Sequence, residues 1–168
     1  MKTRIWYPQL DVYDAVRRIG VLLFEWQEKA PVLERLYIAD FYLSNPPLLH
    51  RVSMPEDIRT EFRKLALPRP EKMFLSYPAA PLLFHKMEPI QKQAVQAMIG
   101  KGVIDAEVVK GGRVKLSPFG ADFVSESLRS SITENEQGLL TFLVGLISDL
   151  GREDTRELRR RTGLRRMT

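Results

Sequence analysis

The first hydrophobic pattern along the chain has helical spacing. Between Asp11 and Glu28 the apolar residues recur every three or four positions, with charged residues mostly between them. Asp11 stands where a side-chain oxygen can accept hydrogen bonds from the first free amides of a helix. A broader apolar stripe runs from Pro31 to about Leu43, and Ser44-Asn45-Pro46-Pro47 ends it. The pattern predicts one amphipathic helix, followed by a helix that is buried on most sides.

The remaining helical periodicity predicts helices at about 54–67, 88–101, 119–130 and 134–150, the third of them capped by Ser117-Pro118. Pro89 would lie in the first turn of the 88–101 helix and Gly102 just past its end, which are the positions that proline and glycine favour. Repeated prolines between Pro68 and Pro81 predict an extended or turn-rich connection.

Two short runs rich in β-branched residues, 103–109 and 113–116, flank Lys110-Gly111-Gly112. Glycines between such runs are typical of a hairpin turn, because glycine readily adopts positive φ angles. A helix, a hairpin and a further helix in this order are typical of a winged helix. We predict a mainly α-helical protein with a small β-hairpin wing at about 103–116. Residues 1–150 would form one winged helix-turn-helix domain with extra N- and C-terminal helices, followed by a basic tail at 151–168.

The net charge of +5 is concentrated at the C-terminus. Residues 151–168 contain seven arginines and three acidic residues, a balance of +4, whereas the other 150 residues contain 19 basic and 18 acidic residues, a balance of +1. We expect this tail either to neutralise phosphates or to be a solvated end. In the second case, Glu153 and Glu157 would pair with Arg156 and Arg160 at helical spacing.

No arrangement typical of catalysis is found in the sequence. The chain has no cysteine, and its two histidines, His50 and His85, have no partner at metal-ligand spacing. Gly111-Gly112 lacks the other residues of a phosphate-binding loop. We expect a protein that is not an enzyme, with no catalytic residue, metal, cofactor or small-molecule substrate. The N-terminus has no apolar signal segment and the longest apolar run is too short for a membrane helix, so we expect a cytoplasmic protein.

In winged helices that bind DNA, the helix before the wing enters the major groove and the wing contacts the backbone. Here that helix is 88–101, whose expected exposed positions include Gln91 and Gln93. The candidate nucleic-acid contacts are Lys92, Gln96 and Lys101 on this helix, Lys110, Arg113 and Lys115 on the wing, and Arg159, Arg160, Arg161, Arg165 and Arg166 in the tail. Because the body of the chain is nearly neutral, a winged helix that docks other proteins is the alternative.

The helix predicted at 134–150 is apolar around most of its circumference. Such a helix is buried either in the core of its own chain or in an interface. A winged-helix core would be complete without it, so we expect part of it to be buried against a second chain. The candidate partner contacts on it are Phe142, Leu143, Leu146 and Ile147.

Three short motifs follow one another in the order typical of a known family. They are Tyr7-Pro8 with Asp11, Tyr13-Asp14-Ala15 and Arg17 or Arg18; Leu36-Tyr-Ile-Ala-Asp40-Phe-Tyr-Leu43 with Pro46-Pro47-Leu48-Leu49; and Met87-Glu88-Pro89-Ile90-Gln91 with Gly100-Lys-Gly102-Val-Ile-Asp105. Over roughly residues 5–125 the chain resembles the small middle component of bacterial ABC-three-component systems, a group that includes Lamassu-type anti-phage defence. The C-terminal helix and the arginine tail lie outside this resemblance.

The resemblance implies a winged-helix adaptor without an active site. Such an adaptor bridges an SMC-like coiled-coil ATPase and an effector, often a nuclease, and contacts DNA directly or through the complex. Tyr7, Asp11 and Tyr13 then become candidate partner contacts, although their segment and 36–49 are equally compatible with the core. Two other functions stay open: a homodimeric transcription regulator that uses 134–150 as its dimer seam, and an RNA- or ribosome-associated protein that uses the tail.

Overall fold

The computed structural model describes residues 7–27, 29–73, 77–150, 152 and 154–164. These residues are mainly helical, as predicted, and contain isolated β-bridges but no β-strand. The helices are α1 (Val12–Trp26), α2 (Leu33–Ser44), α3 (Glu56–Lys64), α4 (Ala80–Gly100), α5 (Ala106–Lys110), α6 (Pro118–Phe123), α7 (Glu134–Asp149) and α8 (Thr155–Thr162). None of these eight combines the length and apolar character that crossing a membrane requires.

Helix α1 lies at the centre of the fold and packs against α2, α4 and α7. The prediction of this helix and of its cap is confirmed, because Asp11 accepts hydrogen bonds from the amides of Tyr13 at 2.8 Å and Asp14 at 3.1 Å. Helix α2 is buried at every residue from Leu36 to Leu43, as its broad apolar stripe predicts. A 3-10 turn at Pro46–Arg51 follows it and buries three further residues.

Helix α4 begins earlier than the sequence suggests. It starts at Ala80 rather than Glu88, so Pro89 lies inside a helix of 21 residues, and Pro81 occupies the first turn. The predicted start is wrong because proline at a helix beginning is only a preference, and packing overrides it. Phe84 and Met87, which are 1% and 0% exposed, anchor the extra turns in the core.

The hairpin wing predicted at 103–116 is not confirmed, and the strand predicted over 103–109 is wrong in its second half. Asp105 accepts hydrogen bonds from the amides of Glu107 at 2.9 Å and Val108 at 3.4 Å and so begins α5. This capping outweighs the β-preference of the valines. Two antiparallel bridges, Ile104 with Leu116 and Val32 with Arg113, are the β-pairing that the described residues contain. The winged helix is accordingly not confirmed either.

Helix α6 is fixed by one glycine. Ser117 caps it as predicted, accepting a hydrogen bond from the amide of Gly120 at 2.9 Å. A Cβ atom at Gly120 would stand 1.9 Å from the carbonyl oxygen of Val103, a distance that no side chain tolerates. Glycine therefore permits the close approach of α6 to the segment after α4. The predicted helix continues from α6 through a π-turn, Val124–Leu128, and a 3-10 turn, Arg129–Ser131.

Helix α7 belongs to the core of its own chain. It packs against α1, α2 and α3, and Leu143, Leu146 and Ile147 are at most 2% exposed. The prediction that a second chain covers these three residues is wrong, because the core is assembled around α1 and needs α7 to close it. Phe142 is half-buried, with its ring 5.7 Å from that of Phe62 on α3.

Four of the C-terminal arginines, Arg156, Arg159, Arg160 and Arg161, lie on a packed helix rather than on a separate tail. Leu158 on α8 and Leu164 just beyond it are fully buried in the common core. The backbone also joins α8 to the body, since the amide of Ser53 donates to the carbonyl oxygen of Arg161 at 2.9 Å. Two apolar side chains thus fold the basic segment back onto the helical bundle.

Candidate functional site

Three buried polar side chains meet in the middle of the helical core. Arg18 of α1, Asp40 of α2 and Gln91 of α4 are each at most 1% exposed. Arg18 donates through Nε to one oxygen of Asp40 at 2.6 Å and through Nη2 to the other at 3.3 Å. Gln91 donates to Asp40 at 2.9 Å and to the carbonyl oxygen of Tyr37 at 3.0 Å. These three side chains, the core network, join three helices.

Arg18 also ties the core network to the N-terminal turn Pro8–Leu10. Its Nη1 donates to the carboxylate of Asp14 and, at 3.2 Å, to the carbonyl oxygen of Pro8. Burial alone would lower the pKa of Arg18, but the charge of Asp40 and the hydrogen bonds to it outweigh burial, so the pKa lies above its usual value. The guanidinium is therefore fully charged in the core and holds the turn in place.

The turn that Arg18 holds presents apolar side chains to solvent. Tyr7, Leu10 and Tyr13, which we call the N-terminal patch, are 48%, 39% and 87% exposed. Asp11 stands among them in sequence, where it caps α1. Exposed apolar side chains on a fixed backbone can dock a protein without the cost of ordering a loose segment.

Helix α8 forms one wall of an open groove of about 670 Å³. The lining consists of Tyr37 and Phe84, the carboxylates of Glu34 and Glu88, and three α8 arginines, Arg156, Arg159 and Arg160. Arg159 forms a two-pronged ion pair with Glu34, at 2.5 Å and 2.7 Å. Positive and negative side chains alternate here, so the groove is not a purely anionic or cationic site.

A second, smaller pocket of about 190 Å³ opens beside the C-terminal end of α7. Its described lining includes four cationic side chains and no acidic one. We call it the basic pocket; its lining residues are Trp26, Lys29, Ala30, Pro31, Arg35, Arg113, Ser148 and Arg152. The indole nitrogen of Trp26 donates to the Ser148 hydroxyl at 3.0 Å, which fixes the aromatic wall.

Arg35 closes the end of α7 at this pocket. It donates to the carbonyl oxygens of Ile147 and, at 2.9 Å, Leu150, and at 3.4 Å to that of Asp154. A cation is favourable there, because the free carbonyl groups give a helix C-terminus partial negative charge. Burial, and then the charge of nearby Arg113, lower the pKa of Arg35, and the opposite effect of the Glu34 and Asp154 charges does not fully offset them. The two guanidinium groups thus repel one another.

Comparison with known families decides the assignment of the chain. A family model described as "ABC-three component (ABC-3C) system Middle Component 5" matches residues 4–167. The chain belongs to this family. No curated protein and no solved structure matches it.

The resemblance to ABC-three-component middle components is therefore confirmed, and its extent is corrected. The match reaches residue 167 rather than ending near 125, so α7, α8 and their arginines lie within the region typical of a Middle Component 5. The narrower likeness to Lamassu-type systems stays a prediction.

Residues of the resemblance motifs form the core network of this middle component. Asp14, Asp40 and Gln91 all bind Arg18 or one another. Of the two arginines that the first motif offered, Arg18 is the buried one, whereas Arg17 pairs with Asp14 at 3.3 Å and with Glu136 at 2.8 Å outside it. The 36–49 segment is core rather than docking surface, and the exposed candidates of the first motif are Tyr7 and Tyr13.

The helix predicted to enter a DNA groove presents few free donors. Gln91, expected on the surface, is fully buried in the core network, because α4 turns that face toward α2. Lys92 pairs with Glu88 at 2.7 Å. Gln96 and Lys101 are exposed.

The predicted wing residues divide between two environments. Lys110 pairs with Glu107 at 2.8 Å on the surface of α5, and Lys115 is half-buried. Arg113 lines the basic pocket and donates to the carbonyl oxygen of Ala30 at 3.1 Å. The structure thus separates Arg113 from the wing lysines and groups it with Lys29, Arg35 and Arg152, which no motif in the sequence singles out.

The predicted arginines of the C-terminal segment are largely paired. Arg159 binds Glu34, and Arg160 and Arg161 both bind Glu157, at 2.7 Å and 2.6 Å. Of the expected pairs at helical spacing, that of Glu157 with Arg160 is thus present, whereas Arg156 pairs with Asp154 at 2.9 Å. Glu153 lies outside the described residues. Arg165 and Arg166 lie outside the described residues.

Neither histidine stands in a cluster of metal-ligating side chains. Nε2 of His50 is 2.9 Å from the carbonyl oxygen of Leu67, and its ring contacts Phe62 edge-on. His85 has its Nδ1 3.9 Å from the carboxylate of Glu88. Within the residues that the structure describes, no three His, Cys, Asp or Glu side chains come together as a metal site.

Proposed function

We propose that this protein is a non-catalytic adaptor that joins an SMC-like coiled-coil ATPase to an effector, a nuclease in the simplest case, within its ABC-three-component system. The observation that carries the proposal is the family match over residues 4–167, since a middle component works with the other components of its system. The adaptor hypothesis requires surfaces that dock proteins, and the N-terminal patch is the candidate with the largest exposed aromatic side chain.

An adaptor needs at least two docking surfaces, and the chain offers a second exposed aromatic. Phe119, at the start of α6, is 61% exposed, beside the C-terminal end of α4. The N-terminal patch lies on other elements, at the turn Pro8–Leu10 and the beginning of α1. Each partner would therefore take one of these two aromatic positions.

The alternative function, a homodimeric regulator, uses 134–150 as its dimer seam, but three of the candidate contacts on this helix are buried in their own chain. Leu143, Leu146 and Ile147 would have to leave the core of their own chain to contact a second copy. Exposing three fully buried aliphatic side chains costs roughly 5 kcal/mol or more. The adaptor hypothesis makes no such demand.

Affinity purification of the tagged chain from its own host, with nuclease treatment, tests the proposal. We expect a large coiled-coil ATPase and a second protein to be recovered together. Tyr13→Ser should lose one of them, while Phe119→Ser, a matched removal of an exposed aromatic, should keep the partner that Tyr13→Ser loses. Recovery of the wild-type chain alone would overturn the proposal.

A further inference from the structure

We infer that a pocket at the end of α3 docks an acidic segment of a partner protein, one that carries an aliphatic side chain beside its carboxylates. The inference deepens the adaptor proposal, on which it rests for the source of that segment. We call this space the α3 pocket; it lies among the turn Pro46–Arg51, α3 and residues 66–69. It is separate from the N-terminal patch and from Phe119.

Positive charge without matching carboxylates is the first property of the α3 pocket. Arg59, Arg63 and Arg69 line a space of about 270 Å³ whose described lining holds no acidic side chain. Arg63 pairs with Glu56 at 3.2 Å, but the two side chains are 62% and 75% exposed, so this pair is weak and exchangeable. Arg59 and Arg69 form no ion pair with any residue that the structure describes. The pocket therefore attracts anionic groups.

Arg69 stands on a backbone that is fixed before a partner arrives. It lies between Pro68 and Pro70, and its φ of −73° and ψ of 148° give the extended conformation that a following proline favours. Pro70 is buried and so anchors this short segment to the body of the protein. Binding through Arg69 therefore requires little ordering of the backbone.

The turn after α3 brings Arg69 back beside the arginines of that helix. Ala66 has a φ of +51°, a left-handed conformation that reverses the chain, and its amide donates to the carbonyl oxygen of Arg63 at 3.2 Å. Nε2 of His50 donates to the carbonyl oxygen of Leu67 at 2.9 Å. Hydrogen bonds thus hold the turn both to α3 and to the turn that precedes this helix.

The same space has an apolar part, which favours a protein segment over a nucleic-acid backbone. Phe62, Ala66 and Leu67 line the pocket together with the arginines. A phosphate group would leave these carbon atoms uncovered, whereas an aliphatic side chain next to a carboxylate covers them. Phe62 is only 6% exposed, so it has no open ring face on which a base could stack.

The volume of the pocket and the charge of the chain narrow the occupant further. Sites for small molecules enclose roughly 300–1,000 Å³, whereas this pocket holds about 270 Å³, room for a few side chains of a longer segment. The chain has a net charge of +5, so it attracts an acidic partner and repels a second copy of itself. We therefore expect a peptide segment of opposite charge.

Binding of a fluorescent peptide that carries glutamates on both sides of a leucine, measured by anisotropy with the full chain, tests the inference. The test variant is Arg59→Gln with Arg69→Gln. The matched control, Lys86→Gln with Lys101→Gln, removes two exposed charges from α4 and its end that form no ion pair within the described part of the chain. Two further peptides carry glutamine in place of every glutamate or serine in place of the leucine.

The test variant should weaken binding of the acidic peptide roughly tenfold, because it removes two charge-assisted contacts, and the control should have little effect. The glutamine peptide should lose binding, and the serine peptide should bind more weakly than the leucine peptide. Equal losses in the two variants would overturn the inference, because binding would then follow net charge. Equal binding of the leucine and serine peptides would contradict it too, because the apolar part of the pocket would then play no role.

Charge reversal separates recognition in the pocket from general attraction. Arg59→Glu with Arg69→Glu leaves the net charge of the chain at +1, so attraction by net charge alone would still favour the acidic peptide. We expect this variant instead to bind a peptide with lysine in place of each glutamate more tightly than the acidic peptide. A continued preference for the acidic peptide would refute the inference, as would tighter binding of duplex DNA than of the acidic peptide by the wild-type chain.

The source of the segment is tested with the purified ATPase and effector of the same system. We expect the test variant to bind one of these two components roughly tenfold more weakly than the wild-type chain does, and the control to bind both normally. Normal binding of both components by the test variant would overturn the inference and leave the adaptor proposal standing. Failure of the wild-type chain to bind either component would overturn the adaptor proposal, whereas the peptide experiments would still decide what the pocket binds.

Discussion

Arginine–carboxylate pairs hold this molecule together both in its core and at α8, and the two pairs differ chiefly in burial. In the core network, the side chains of Arg18 and Asp40 are 2% and 0% exposed. At α8, those of Arg159 and Glu34 are 42% and 27% exposed. The same type of ion pair is therefore shielded from water in the core and solvated at α8.

This difference in burial gives the two pairs different roles: the core pair fixes the structure, whereas the α8 pair can exchange its partner. Removing one member of a buried pair leaves an uncompensated charge in the core, whereas a solvated pair exchanges its partner for water at little cost. The core network thus fixes three helices and the turn under the N-terminal patch. The exposed arginines of α8 are instead open to a new partner.

The largest expected effect comes from Asp40→Asn. The substitution keeps the shape of the side chain but removes the fully buried one of the two carboxylates that compensate Arg18, so we expect a loss of about 3–5 kcal/mol in the free energy of unfolding. Urea denaturation at neutral pH measures it. A loss below about 1 kcal/mol would mean that the buried pair resembles the exposed one.

An intermediate effect is expected from Gln91→Leu, which keeps the volume and removes a neutral donor. Asp40 and the carbonyl oxygen of Tyr37 would each lose one hydrogen bond in the core. We expect a loss of about 1–3 kcal/mol by the same denaturation assay. Gln93→Leu, on the exposed side of α4, is the control and should change stability little.

Glu34→Gln should have a smaller and more local effect. The pair with Arg159 is partly solvated, so we expect global stability to fall by no more than about 1 kcal/mol. Amide hydrogen exchange should rise within α8 and stay unchanged in α1. Equal acceleration in both helices would show that α8 is part of the cooperative core rather than an adjustable arm.

The smallest effect is a pH dependence confined to α8. Hydrogen bonds from Arg160 and then Arg161 lower the pKa of Glu157 from 4.5 to about 2. The pairs therefore stabilise α8 above about pH 4.5, and this contribution is lost as the pH falls through 2. The ratio of amide exchange in α8 to that in α1 should rise over this interval, and Glu157→Gln should reduce the step. The part that remains would come from Asp154, the cap of α8, whose pKa is also lowered by hydrogen bonds from Arg156.

Local patterns predict most of the helices of this fold. The spacing of apolar residues in α1, the cap at Asp11 and the cap at Ser117 are short-range features, and the structure has them all. The predicted β-hairpin wing also rests on short-range features, but these conflict, because Val108 favours a strand while Asp105 caps a helix. Only the folded chain decides between them.

The candidate sites depend on contacts between distant parts of the chain, which periodicity does not carry. Gln91 has the sequence context of a surface residue, and its burial follows from Asp40, 51 positions away. Arg35 meets the end of α7 across 112 positions. The motif residues Asp14, Arg18 and Asp40 could be selected from the sequence, but not their role in the core.

The most direct test of the adaptor hypothesis is reconstitution of the three-component system with and without this chain, followed by native mass spectrometry. We predict one assembly that contains all three components, and no association of the ATPase with the effector when this chain is omitted. Association of those two without it, or failure of this chain to bind either, would contradict the account.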